Sequence, residues 1–399
     1  MKSFACPICG RPYPADVRSL FCPICGDPLV SAYVPKSPSI RRKHPMGVAR
    51  YLDFLPLEAF DPSLSLGEGG SPLQPLVRLQ ARFQTPPLFA KNEAMNPTGS
   101  FKDRGSVVAI HTAKSLGFET VGTISTGNMA GSTAAYAAKA GLRSVIFIKD
   151  DTPKEKILAA GIFGATVIKV RGDYAALFWK SFEIGRVNRF YFINSVDPSR
   201  VEGYKVTSFE IYEQLGGEAP EFLFVPVSSG GHLLGLMRGF QDLKRAGWIR
   251  RIPRFIGVQA RGCAPITRAF DRSSKTVSPV AHPKTVAHAI ANPNPPGGKI
   301  VLKMLAETGG RMASVGDNEI LRAQRLLAEY EGIFCDPGSA TVLAAYLKKV
   351  RLGLIPRRAR TVLVITGSGL KTLGDVDMSR LRISNADLSD LPQLMSILK

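Results

Sequence analysis

The sequence predicts an α/β protein with two open parallel sheets covered by helices, behind a small cysteine-rich module at the start of the chain. Three observations lead there. From about residue 87 onward, short apolar strands alternate with helical stretches, and the β-branched strands read apolar on both faces, as strands buried between helix layers do. The 399 residues exceed one ordinary core, and there are enough strand–helix units for two sheets. Four of the six cysteines fall in the first 25 residues.

Those four come first in the chain. Cys6 and Cys9 are followed, after twelve residues, by Cys22 and Cys25, and each CxxC runs into a glycine. Such knuckles aim two thiolates at one point, and two of them supply the four-sulfur shell that zinc takes in structural sites. Residues 1–35 therefore read as a zinc ribbon. A segment this short has too little core to fold unaided, and four thiolates leave the metal no open position for catalysis. The crowding of cysteines at one end argues for a reducing compartment over a disulfide framework, with Cys263 and Cys335 as buried thiols.

Residues 36–50 are basic and proline-containing and read as a linker. The strand–helix alternation then divides into a large unit from residues 51–111 and 206–375, a smaller inserted unit at 112–205, and a short tail at 376–399. No apolar run approaches the roughly 18 residues of a membrane-spanning helix. The start, MKSFACPICG, lacks the apolar core of a signal peptide, so a cytoplasmic protein is expected. The net charge is +20, and the basic residues cluster partly in runs at 41–50, 238–254 and 351–360 that carry no regularly spaced aromatics, so specific nucleic-acid binding is not expected. A homodimer is the default for a soluble enzyme.

Four turns that follow strands carry chemistry, and in open parallel sheets such turns converge at the carboxyl ends of the strands. Asn96–Gly105 surrounds Lys102 with Gly, Ser and Thr, which reads either as a plain turn and helix start or as a nucleophilic lysine. Ser125–Asn128 precedes an alanine-rich helix, and its hydroxyls and the helix amides suit an anion or serve as an ordinary cap. Val227–His232 is a glycine-rich loop at a helix start, able to cradle a phosphate although GxGxxG and the P-loop lysine are absent. Thr366–Lys371 places hydroxyls beside glycines that let a ring approach the backbone.

Together these turns resemble the pyridoxal-phosphate enzymes of the tryptophan-synthase-β type. NPTGSFKDRG (96–105) is similar to that family's lysine motif, STGN (125–128) to its asparagine loop, SSGG (228–231) to its phosphate loop and TGSGLK (366–371) to its TGHGLK. The paired CxxC start, LGEGGSP (66–72), NSVDPSRVEGYK (194–205) and EGIFCDPGSA (331–340) bring the resemblance nearest to the threonine synthases, and it runs from Cys6 to about Leu373. It implies the two-domain fold of type II pyridoxal-phosphate enzymes. It also implies that Lys102 carries the cofactor as a Schiff base and moves protons, that Asn128 contacts the ring oxygen, and that Ser228, Ser229, Gly230 and Gly231, with His232 beside them, hold the phosphate. Thr366 would face the ring nitrogen, with Ser368 as the competing assignment. Ser125, Thr126, Asn194, Ser195 and Arg200 would line the substrate side.

The implied reaction converts O-phospho-L-homoserine and water to L-threonine and phosphate. The chain departs from the family pattern at Met129, where a threonine is usual, at His232, where an asparagine is usual, and at 289–295, a shortened segment without its arginine. Rival readings are a β-replacement enzyme using O-phosphoserine, a serine or threonine deaminase and, from a different class, a nucleic-acid-binding zinc-ribbon protein.

Overall fold

The computed structural model describes residues 3–17, 19–125, 127–172 and 174–375; the expectations for Thr126 and for the 376–399 tail lie outside them. Strands β1 (Ser3–Ala5), β2 (Pro12–Pro14) and β3 (Val30–Ser31) form an antiparallel sheet in the order β2-β1-β3. It buries Phe4, Leu20 and Leu29 with Cys6 and Cys22, too little apolar surface to hold a fold by itself. Gly10 and Gly26 close the two knuckles with φ of 76° and 67°, a conformation glycine adopts at no steric cost.

Residues 36–50, read as a linker, are tied to the body of the protein. Arg41 pairs with Asp53 at 2.7 Å and Arg50 with Glu213 at 2.8 Å. The following 3₁₀ turn, Val48–Phe54, buries Val48, Tyr51 and Phe54.

After β4 (Leu73–Pro75), α1 (Val77–Phe83), β5 (Leu88–Asn92) and α2 (Lys102–Ser115), the chain builds its smaller sheet. This comprises β6 (Thr120–Ile124), α3 (Asn128–Lys139), β7 (Arg143–Lys149), α4 (Lys154–Gly161), β8 (Thr166–Val170), α5 (Tyr174–Asn188) and β9 (Tyr191–Phe192). The four strands are parallel in the order β8-β7-β6-β9. The chain then returns through α6 (Pro198–Gln214), β10 (Phe222–Pro226), α7 (Gly231–Arg245), β11 (Arg254–Ala260), α8 (Pro265–Asp271) and α9 (Gly298–Thr308). It ends with β12 (Arg311–Val315), α10 (Asp317–Glu331), α11 (Pro337–Arg351) and β13 (Thr361–Ile365).

The larger sheet has the order β12-β11-β10-β13-β5-β4, with apolar clusters on both faces. Its strands are parallel except β4, which pairs antiparallel with β5. Three residues ending in Pro75 make β4 an edge strand, where a missing N–H costs no ladder bond. Two helices start earlier than their apolar periodicity suggests: α2 at Lys102 and α7 at Gly231. Neither has a side-chain cap.

Helix α2 lies against α6 at a glycine crossing. A Cβ on Gly203 would sit 2.1 Å from the carbonyl oxygen of Arg104, and one on Gly105 would sit 2.7 Å from the Tyr204 ring. The crossing is locked by a fully buried ion cluster. Glu210 receives Arg104 and Lys91, each at 2.7 Å, and Arg104 also holds Glu93. Burial pushes the Glu210 carboxyl up, but Arg104 and then Lys91 overcome this and hold it down at about 2, from an ordinary 4.5. Its stabilisation is therefore complete above about pH 4.5 and is lost as pH falls toward 2. Glu210→Gln removes the carboxylate that both cations share and is expected to lower unfolding free energy at pH 7 by about 3 kcal/mol. Urea unfolding should show the deficit shrinking as pH is lowered through 4; a deficit that stays constant to pH 3 would contradict the assignment.

Candidate active site

The turns after β5, β6, β10 and β13 meet in one cavity of about 670 Å³, between the two sheets at their carboxyl ends. Lys102 opens α2 from the first of these. Its turn is stitched to the one after β13: Phe101 N–H donates to the Thr366 carbonyl at 3.1 Å, and Ser368 N–H to that of Gly99 at 3.0 Å. Within the turn, Asp103 accepts from the Thr98 amide at 2.7 Å. The Lys102 ammonium lies 4.3 Å from the centre of the Phe101 ring and has no hydrogen-bond or ion-pair partner among the described residues. Burial, and secondarily the Arg200 guanidinium, bring its pKa from 10.5 to about 7. About half of this amine is neutral at pH 7, the form a nucleophile and proton acceptor requires.

Asn128 begins α3 on the opposite wall. Its Oδ1 accepts from Lys371 at 2.9 Å, and its side-chain amide lies beside the carboxyl of Asp336, which burial pushes up and this amide helps to lower. Asp336 also caps α11 through the Ser339 amide at 2.7 Å. Thr366 closes the base of the site. Ser339 Oγ accepts the amides of Thr366 and Gly367 at 3.0 and 2.9 Å and lies 2.8 Å from Thr366 Oγ1. With its lone pairs so engaged, the Ser339 hydroxyl donates either to Thr366 Oγ1 or, at 3.4 Å, to the Gly367 carbonyl. Ser368, the competing position, is not on the cavity wall; its Oγ accepts the Leu370 amide at 3.2 Å.

The loop Ser228–Gly231 leads into α7. Gly230 has φ of 97°, and a Cβ on Gly231 would lie 2.7 Å from the carbonyl oxygen of Ser195. The glycines hold backbone where no side chain fits, and the first-turn amides of α7 receive no side-chain cap. Ser229 Oγ is positioned by Asn292 at 2.9 Å. His232 stacks on Phe101 with ring centres 3.8 Å apart and meets Tyr204 edge-on at 5.4 Å. Burial, followed by the charges of Lys102 and Arg104, holds the imidazole neutral, well below its ordinary range. Neither ring nitrogen has a partner among the described residues, although the side chain is more than nine-tenths buried. Uncapped amides, two hydroxyls and an orphaned imidazole in one cradle fit a phosphate group.

The expected substrate residues divide. Ser125 and Ser195 line the cavity. Asn194 does not: it is buried, with Oδ1 accepting the Ile124 amide at 3.1 Å and Nδ2 donating to Ser181 at 3.0 Å, so its polar atoms serve the small sheet. Arg200 lies behind the wall, fully buried, with long bonds to Thr133 Oγ1 and the Lys102 carbonyl, each 3.4 Å, and one to Tyr204 at 3.1 Å. No carboxylate among the described residues pairs with it. Asp336 and Tyr204 line the cavity without having been singled out in the sequence, although the Asp-Pro of a helix start was a signal for the first. Met129 and residues 289–295 are wall elements too.

At the other end of the chain, the sulfurs of Cys6, Cys9, Cys22 and Cys25 lie within 4.8 Å of one another, and those of Cys9 and Cys22 are 3.8 Å apart. Tetrahedral zinc with bonds of about 2.3 Å places its sulfurs roughly 3.8 Å apart. Backbone amides of Cys9 and Cys25 point at the Cys6 and Cys22 sulfurs, each at 3.5 Å. The residues present fit a metal ion.

Residues 64–367 match the family model described as pyridoxal-phosphate dependent enzyme. The chain belongs to this family. Among the curated relatives of this pyridoxal-phosphate enzyme is a threonine synthase of Methanocaldococcus jannaschii, 38% identical over 331 residues, which are 83% of this chain and 82% of that one. Threonine synthases of Methanosarcina acetivorans, 37% identical over 81% and 80% of the two chains, and of Mycobacterium tuberculosis, 35% identical over 81% and 88%, are similar as well. Solved structures share the enzyme's fold. Maize serine racemase superposes with a TM-score of 0.64 at 19% identity, covering 82% of this chain and 91% of its own. Serine racemase of Dictyostelium discoideum gives 0.64 at 22% identity, covering 77% and 93%. Among the described residues, no helix is long and apolar enough to cross a membrane.

Proposed function

We propose that this enzyme converts O-phospho-L-homoserine and water to L-threonine and phosphate. The observation that carries the reading is the pairing, around one poised lysine, of two separate places for an anion: the uncapped start of α7 with His232, and the buried Arg200 that lacks a carboxylate. A phosphorylated substrate handled by a phosphorylated cofactor needs two such places. The similarity to threonine synthases selects the substrate.

In this reading Lys102 holds the cofactor, Ser228, Ser229, Gly230, Gly231 and His232 hold its phosphate, and Asn128 its ring oxygen. Thr366 donates to the ring nitrogen, leaving it without a proton. Pyridoxal phosphate, when bound, supplies the electron sink that makes a hydrogen on the carbon next to an amino group acidic. Lys102 Nζ then takes and returns the protons of the substrate, helped by a pKa near the working pH. Ser125 and Ser195 orient the substrate from the wall, and Arg200, buried behind it, draws the substrate phosphate by its charge. Asn194, whose polar atoms are all engaged, keeps only a positioning role behind Ser195. Zinc is the metal for the four cysteines, as a structural ion of one per chain. A cytoplasmic location, a homodimer and the division into 51–111 with 206–375 and an inserted 112–205 complete the proposal.

Met129 favours a second reading. It is on the cavity wall, where an apolar side chain offers no hydroxyl to a water molecule, and a β-replacement of O-phosphoserine needs no such water. A panel of O-phospho-L-homoserine, O-phosphoserine, serine and threonine separates the two. Phosphate and threonine released in equal amounts from the first substrate are expected. Turnover of O-phosphoserine alone would replace the main reading with the second.

A further inference from the structure

A ribbon of thirty residues must place its outward apolar side chains against something, and where it places them bears on the active site. Phe21, between the two knuckles, packs at the edge of the ribbon's own apolar cluster and is shared with a neighbouring helix. Its ring packs against three aromatics of α5 in the small unit: Trp179 at 4.8 Å, Phe182 at 5.4 Å and Phe178 at 6.3 Å between centres. The other side of the ribbon is held by the large unit. Lys303 of α9 donates to the Pro7 carbonyl at 2.7 Å, Lys299 meets Asp27 at 3.2 Å, and Arg238 of α7 donates to the Ser31 carbonyl at 2.8 Å. The module thus spans from one unit to the other, and Phe21, Gly26 and Asp27 line the same cavity as Lys102.

We infer that the ribbon is the outer wall of the active-site cavity, and that Phe21, seated on Trp179, sets the size of what reaches Lys102. This inference rests on the cofactor reading above. The aromatic contact is the restraint: the Lys299–Asp27 pair is partly exposed and holds weakly, whereas offset and edge-on rings add packing beyond their buried area. Once Phe21 is truncated, the ribbon keeps no ring-to-ring contact with α5 among the described residues, and only the packing of Phe182 on the ribbon's apolar cluster still joins the two. The passage then widens without change to any residue that touches the cofactor.

The test uses the holoenzyme and two carbonyl reagents of different size, hydroxylamine and phenylhydrazine, each of which displaces Lys102 from the cofactor; loss of the lysine-bound absorbance is followed. Phe21→Ala is expected to speed phenylhydrazine by about tenfold relative to hydroxylamine. Trp179→Ala, which removes the other half of the contact and is itself part of the cavity wall, should do the same and leaves the ribbon sequence intact. Bound zinc per chain reports whether the ribbon stays folded; if Phe21→Ala loses its zinc, the Trp179→Ala ratio decides. An unchanged ratio, or equal acceleration of both reagents, overturns the inference, because general loosening does not discriminate by size. Absence of any lysine-bound cofactor in the wild type would instead sink the functional reading, so the two failures are distinct.

Discussion

Lys102→Ala is expected to lower phosphate release from O-phospho-L-homoserine by at least about 10⁴-fold, because one amine both anchors the cofactor and moves the substrate's protons. The loss should come with a specific change in binding mode. Pyridoxal phosphate should still bind, since the loop before α7, His232, Asn128 and Thr366 are untouched, but borohydride should no longer fix it to the chain. Mass analysis of the borohydride-treated wild type should find the adduct on the peptide containing Lys102. An adduct on another lysine, or activity within tenfold of wild type, would remove Lys102 from its proposed place. The lysines nearest the cavity among the described residues are engaged elsewhere: Lys91 by Glu210 and Gln214, Lys371 by Asn128 and Lys299, on the cavity wall, by Asp27.

Arg200→Leu carries the second large effect, with two readouts of different origin. As the buried cation proposed to attract the substrate phosphate, its loss should reduce kcat/KM by about 100-fold. Arg200 also acts on Lys102 before substrate arrives. Burial is the main reason the Lys102 amine sits at about 7, and the guanidinium adds to it by opposing a second positive charge. Removing the guanidinium favours the protonated amine, so the pKa rises. The rate at which the cofactor-free protein takes up pyridoxal phosphate depends on neutral Lys102 and increases with pH through that pKa. Its midpoint should move up by about one pH unit in Arg200→Leu. A midpoint that stays near 7 with a reduced kcat/KM would leave Arg200 only its substrate role; no change in either would place it among purely structural residues.

The buried polar groups around α2 explain why these effects are separable from stability. Glu210, Glu93 and Lys91 surround Arg104, whereas Lys102, on the cavity wall, and Arg200, behind it, have no carboxylate partner among the described residues. A cluster that is fully paired holds α2, β5 and α6 together; the pair of unneutralised cations beside it is left for ligands. Removing the first should unfold the protein, and removing the second should silence it.

Much of this was legible in the chain. Two CxxC knuckles at fixed spacing, strand–helix alternation and four turns rich in Gly, Ser and Thr are local patterns, and local geometry follows from local sequence. The knuckle glycines have the positive φ that such turns demand, and all four turns stand at strand ends on one cavity. Other features depended on distance. Asp336 and Tyr204 come from segments far from Lys102 in sequence, and only packing brings them to the cavity. Asn194 and Ser195 are adjacent in sequence, yet one turns into the small sheet and the other faces the cavity, since the chain leaves β9 in a turn closed by the Asp197 amide on the Asn194 carbonyl. The orphaned nitrogens of His232 could not be inferred from composition, because a lack of partners belongs to the whole fold. The sequence by itself determined the cysteine knuckles, the fold class and the lysine turn, whose chemistry lies within a few residues. Only the tertiary structure decided which polar groups are left without protein partners, and that the ribbon lies across the cavity, because both are fixed by contacts between segments separated by a hundred residues or more.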